Sequence, residues 1–198
     1  DDAVAEDNAP AFVKEVVRPM NAQAGDLLKV SDFVKFGTTN GHWDSGTAAY
    51  DKRGVEAFVP EWNPENCIQC NKCAFCCPHA AIRPFVLDDE EAAKFEGKTI
   101  DMLAPKAMKG MHFRIEPSVL DCLGCTGCGS CANVCPGKKG EKALKMVPFN
   151  ADAPEMKLEA KHWEYLVHEV KSKQHLVDVK QSAKNSQFAQ PLFEFSGA

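Results

Sequence analysis

The sequence predicts an α+β fold, a pseudo-twofold core with extended N- and C-terminal arms. Three observations predict it. All ten cysteines of the 198-residue chain lie between Cys67 and Cys135, in two runs. Each run is entered and left by a short strand-like segment, so strand, cysteine loop, short helix and strand occur twice. The flanking segments, 1–55 and 149–198, lack this repeat.

The spacing of the cysteines gives the core its chemistry. The first run is Cys67, Cys70, Cys73, Cys76 and Cys77, followed by Pro78; the second is Cys122, Cys125, Cys128, Cys131 and Cys135, followed by Pro136. Each contains C-x2-C-x2-C-x3-C-P, the bacterial ferredoxin pattern. There, three cysteines hold one [4Fe-4S] cluster and the fourth reaches the other cluster. Steps of three residues let a tight loop present successive sulfurs with its N–H groups turned inward, which suits an anionic group. The longer gap carries the last cysteine about one helical turn away. The proline then redirects the chain.

This register assigns cluster A to Cys67, Cys70, Cys73 and Cys135, and cluster B to Cys125, Cys128, Cys131 and Cys77. Cys76 is then a small buried hydrophobe beside a cluster. Cys122 stays open, because Asp121-Cys122-Leu123-Gly124-Cys125 parallels Asn66-Cys67-Ile68-Gln69-Cys70. A rival register would use Cys122, Cys125 and Cys128 and leave Cys131 spare. Other uses of the cysteines fit less well. Cysteine makes up about 5% of the chain, below the roughly 8–10% of disulfide scaffolds. Zinc sites call for C-x2-C pairs set apart by a long loop.

Composition bounds the rest. The chain is 44% hydrophobic and 26% charged, as a soluble globular protein is, with no apolar run of membrane-spanning length. The net charge of −5 gathers towards the N-terminus: residues 1–60 carry ten acids and six bases. Nucleic-acid binding and membrane insertion are therefore not expected. No phosphate-cradling glycine loop and no paired nucleophile and base are present.

In chain order, Pro10 opens a helix to about Met20, with Phe12, Val13, Val16, Val17 and Met20 on one face. Residues 21–54 read as irregular. Segments 55–60, 80–87, 111–116 and 143–148 read as strands, with Pro84 marking an edge or bulge. Asp88 caps a short helix with acids in its first turn. Residues 88–110 are an insertion between the two halves of the core. A helix from about Pro154 to Lys173 follows, with Trp163, Leu166, Val167 and Val170 on one face. The domains expected are an N-terminal arm at 1–55, the two-cluster domain at 56–148, and a C-terminal helix and linker at 149–198.

The stretch Asn66-Cys67-Ile68-Gln69-Cys70-Asn71-Lys72-Cys73, with Cys77-Pro78-His79-Ala80-Ala81-Ile82-Arg83-Pro84, resembles the ferredoxin-like domain of pyruvate:ferredoxin (flavodoxin) oxidoreductases. Phe12 to Met20, Tyr50 to Gly54 and Ser186 to Ala198 resemble that family's flanking segments, so the likeness covers nearly the whole chain. The resemblance implies an electron-transfer segment of a cytoplasmic (or, in a eukaryote, organellar) homodimeric enzyme. Such an enzyme turns pyruvate and coenzyme A into acetyl-CoA and CO2. Thiamine diphosphate, Mg and a third [4Fe-4S] cluster are implied elsewhere in the enzyme, as are its remaining domains and ferredoxin or flavodoxin as acceptor. A free ferredoxin-type carrier, or the same module in a related 2-oxoacid or pyruvate:NADP oxidoreductase, stays open. No residue of the segment is expected to be catalytic in the carbon chemistry.

Lys138, Lys139, Lys142 and Lys145 form a basic patch after Cys135 and could steer an acidic acceptor or be a solvated turn. Trp62 is expected to pack over the first cysteine loop. His42, His112, His162, His168 and His175 show no metal-ligand spacing with each other.

Overall fold

In the computed structural model the described residues are 8–50, 56–122 and 127–189. They fall into two compact units, divided between Lys52 and Arg53. Cys125 lies outside the described residues.

In the first unit, a helix with a π turn at Val13–Val17 continues into α1, Arg18–Asn21. It buries Phe12, Val13 and Val16 of the face that the apolar spacing marks, while Val17 is half-buried and Met20 is exposed. Phe12 meets the rings of Phe36 at 5.4 Å and Trp43 at 4.8 Å. The stretch read as irregular contains a helix, α2, at Val30–Lys35. The Asp32 carboxylate accepts the Lys29 N–H at 2.8 Å and caps it, and Glu15 pairs with Lys35. The helix has only two turns, and Val30 and Val34 are exposed. Such a helix leaves little amphipathic signal in a sequence.

The second unit holds two small antiparallel sheets. β1 (Phe58–Trp62) pairs with β5 (Leu144–Pro148), with Trp62 opposite Leu144. β2 (Ile82–Leu87) pairs with β4 (His112–Pro117), which also pairs with β3 (Ile100–Asp101), giving the order β2-β4-β3. Pro84 is tolerated because β2 is an edge strand. The period-two alternation of strands sorts their side chains between two cores. Ile82, Val86, Phe113 and Ile115 join Trp62, Cys73, Cys131 and Leu144. Phe85 and Leu87 join Trp163, Leu166 and Val170.

Two five-residue helices follow the cysteine loops and pack on each other: α3 (Lys72–Cys76) and α5 (Ser130–Val134). The helix after Asp88 is α4 (Asp89–Lys94). Asp88 Oδ1 accepts the Glu91 N–H and Glu91 Oε2 accepts the Asp88 N–H, both at 2.9 Å. This is the reciprocal cap that its sequence signals. α6 (Pro154–His168) packs on β4 and stops short of Lys173. Beyond it, Glu91 takes the Lys171 N–H at 2.9 Å and the Lys173 ammonium at 2.7 Å, so the chain turns back to α4. α7 (Ala183–Ser186) then leads to Phe188, buried in the first core.

Candidate iron–sulfur site

The two cysteine loops have matching backbones. Gln69 and Gly127 both stand at positive φ, +55° and +74°. Two residues on, Asn71 and Gly129 are both left-handed, at +57° and +69°, and each is the N-cap of its short helix. Both helices place a buried cysteine, Cys73 or Cys131, at their second residue. Each ends on Cys77 or Cys135 in extended conformation. Glycine adopts positive φ without strain, whereas Gln69 and Asn71 need support.

That support comes from a distance. Gln69, 1% exposed, donates from Nε2 to Asp101 O at 2.7 Å and accepts the Leu103 N–H on Oε1 at 2.9 Å. Asn71 donates from Nδ2 to Lys184 O at 3.0 Å. Neither role was readable from the sequence, since the partners stand 32–113 positions away.

Cys67, Cys70, Cys73 and Cys135 line one small cleft, walled by Trp62, Ile68, Asn71, Ile115, Ala143 and Leu144. The structure thus brings three cysteines of the first run to the last cysteine of the second. Backbone N–H groups point at sulfur: Gln69 N to Cys67 Sγ and Ala143 N to Cys135 Sγ, each at 3.4 Å. Burial pushes the Cys67 and Cys73 thiols up, as do the neighbouring cysteines, against hydrogen bonds that lower them. Four thiols in one apolar cleft with inward N–H donors suit a soft, anionic iron–sulfur group.

Of the second group, Cys77, Cys128 and Cys131 are among the described residues. Burial pushes Cys131 up to about 12, and Cys77, Cys76 and Cys128 raise it further, while the Ala132 N–H lowers it. Cys122 is also pushed up to about 12, first by burial, then by Glu56, Cys131, Cys77 and Cys128. Cys77, Cys128 and Cys131 therefore stand together, with Cys122 beside them. Cys76 donates its S–H to Cys73 O at 3.4 Å.

A buried polar cluster adjoins the first cleft. Arg114 lies over the Trp62 ring at 5.1 Å and pairs with Glu116 and Glu159. His162 Nδ1 stands 3.6 Å from Glu159 Oε1. One ligand atom each from Glu116, Glu159 and His162 falls within 4.8 Å of the others. His162 has no metal-ligand spacing to another histidine, and comparing histidines alone misses this grouping with carboxylates. Burial, reinforced by hydrogen bonding to Glu159, pushes Glu116 well above the ordinary carboxylate range. Burial would raise Glu159 too, but hydrogen bonds with His162 and Glu116 and the charge of Arg114 bring it down to about 2.

Residues 59–82 match a 4Fe-4S binding domain, and residues 1–56 match a domain of unknown function. The chain is 45% identical to a pyruvate:ferredoxin oxidoreductase of Moorella thermoacetica and 42% identical to a pyruvate-flavodoxin oxidoreductase of Klebsiella pneumoniae. Each match covers 96% of this chain. Its homologues are pyruvate oxidoreductases. A mitochondrial pyruvate dehydrogenase [NADP(+)] of Euglena gracilis is 40% identical over 94% of the chain. The chain spans 15% of the length of the two bacterial relatives and 10% of the Euglena protein. It thus corresponds to one segment of these enzymes, with a 4Fe-4S binding domain inside it. Among the described residues no helix is long and apolar enough to cross a membrane.

Proposed function

We propose that this chain is the electron-transfer segment of a pyruvate:ferredoxin or pyruvate-flavodoxin oxidoreductase. It would hold two [4Fe-4S] clusters in a pseudo-twofold, bacterial ferredoxin-like core. One observation carries the reading: Cys135 enters the cleft of Cys67, Cys70 and Cys73, although it stands 62 positions after Cys73. That is the crossing expected of tandem ferredoxin runs.

Cluster A takes Cys67, Cys70, Cys73 and Cys135. Cluster B takes Cys125, Cys128, Cys131 and Cys77. The matched backbones support this register, since Gln69 and Asn71 correspond to Gly127 and Gly129 and thereby align Cys70 with Cys128 and Cys73 with Cys131. Cys122 then stands beside the second group without being one of its four ligands.

Bound there, the clusters supply one-electron chemistry. The chain does the rest. The loops fix four thiolates in each site, and Gln69 and Asn71 hold the first loop in its unusual conformation. The apolar walls limit water. The domain organisation proposed is an arm at 1–55, the two-cluster domain at 56–148 and a C-terminal helix and linker at 149–198, docked to further domains that hold thiamine diphosphate, Mg and a third cluster. The whole enzyme would oxidise pyruvate to acetyl-CoA as a homodimer in the cytoplasm, or in an organelle of a eukaryote. Electrons would leave to ferredoxin or flavodoxin. Lys138, Lys139 and Lys145 are exposed beside the Cys135 end and would favour such acidic acceptors. Lys142 is partly committed, donating to Ala132 O at 2.7 Å and Asn133 O at 3.0 Å.

Cys135→Ser tests the crossing. The expected result is damage to the cluster whose other ligands are Cys67, Cys70 and Cys73, with the second cluster retained. Damage confined to the second run's cluster would contradict it.

A further inference from the structure

Trp62 presents an unexplained donor. The residue is 8% exposed and lines the cleft of Cys67, Cys70, Cys73 and Cys135. Its indole Nε1 is fully buried and has no partner in hydrogen-bonding geometry among the described residues. Buried tryptophan N–H groups are ordinarily paired, and leaving one unpaired is unfavourable. The acceptors that share the cleft with the ring are the sulfurs of Cys67, Cys70, Cys73 and Cys135. A thiol is a weak acceptor and a thiolate bound to iron a far better one.

The surroundings keep the ring in place and strengthen the donor. β1 holds Trp62 opposite Leu144 of β5. The Arg114 guanidinium lies over the ring at 5.1 Å, and Lys98 O, Glu116 and Glu159 hold that guanidinium. A cation on the π face draws electron density from the indole, which makes its N–H a stronger donor. No contact of Trp62 to a protein oxygen competes for the N–H among the described residues.

We propose that Trp62 sets the reduction potential of the first-cleft cluster by donating its indole N–H to a cysteine sulfur of that cleft. The inference rests on the reading above that this cleft holds a [4Fe-4S] cluster. Reduction adds one electron and makes the cluster and its thiolates more negative. A donor aimed at one of those sulfurs stabilises the reduced state more than the oxidised one and raises the potential. Trp62 is thus a positioning residue for charge, not a ligand. In the second group the Ser130 hydroxyl stands 3.4 Å from Cys128 Sγ, so the two sites carry different donors.

The test is a mediated dithionite titration of the complete, cluster-loaded protein, followed by EPR, in wild type and Trp62→Phe. Phenylalanine keeps an aromatic wall and removes the N–H. The expected result is a tenfold loss in the equilibrium for reducing one cluster, a fall of about 59 mV in its midpoint, with the other cluster unmoved. Unchanged midpoints with both clusters loaded overturn the inference. A second measurement needs no variant: pulsed EPR of reduced wild type grown with indole-15N tryptophan. A 15N coupling to the cluster supports the bond, and its absence overturns it. Failure of the wild type to take up iron is a separate result, which overturns the cluster reading itself.

Discussion

Gln69 grips Asp101 and its neighbour Leu103 from inside the first cysteine loop, with both ends of its amide engaged. The Nε2–Asp101 O bond is 2.7 Å and the Leu103 N–Oε1 bond 2.9 Å. The segment between the two halves of the core therefore serves as a clamp on the cysteine loop.

Gln69→Ala is expected to destabilise the protein by about 1–3 kcal/mol, because it removes two part-buried hydrogen bonds to the segment between the halves. Gln69→Glu is also expected to be harmful, since a carboxylate accepts from Leu103 but cannot donate to Asp101 O. Anaerobic unfolding in denaturant, together with the rate of cluster loss, checks this. An alanine variant with wild-type midpoint and loss rate would remove the clamp.

The matching loop relies on glycine where the first relies on Gln69. A Cβ at Gly127 would lie 2.2 Å from Phe58 O, at a φ of +74°. Gly140 has a φ of +88° but nothing within 4 Å. Gly127→Ala is expected to cost about 2–4 kcal/mol and lower the iron content, since overpacking adds to backbone strain. Gly140→Ala is expected to cost only the strain, about 1–2 kcal/mol. Equal effects on the denaturant midpoint would contradict the close approach of the loop to β1.

Glu116 gives a pH dependence of definite sign. Its native pKa is raised by burial and by Glu159. Its contribution to stability is therefore full below its ordinary value near 4.5 and is lost as pH rises through the native value. Glu116→Gln removes that loss, so the variant is expected to gain on wild type as pH rises above the ordinary value of 4.5. The denaturant midpoint at each pH is the readout. A gap that stays constant, or that narrows with rising pH, would place the proton elsewhere.

Much of this fold was legible. The cysteine spacing, the cap at Asp88, Pro84 at an edge and the four strands of the repeat all rest on local pattern, and each is visible within a dozen residues. The Asp88 cap needs only a carboxylate three positions before Glu91. What escaped depends on distance in sequence. Gln69 and Asn71 look like loop fillers until Asp101, Leu103 and Lys184 close on them. The group of Trp62, Arg114, Glu116, Glu159 and His162 is assembled from β1, β4 and α6, and no spacing rule joins residues up to 100 positions apart. The helix α6 was placed correctly at its start because Pro154 marks it. Its early end was hidden, because Glu91 of another element takes up the chain beyond it.

Iron and acid-labile sulfide per chain, measured anaerobically with EPR of the dithionite-reduced protein, test the account most directly. Two clusters in this chain predict about eight of each and a spectrum broadened by coupling between two reduced clusters. Zinc in place of iron, or four irons without coupling, would contradict the crossed pair of clusters and the electron relay built on it.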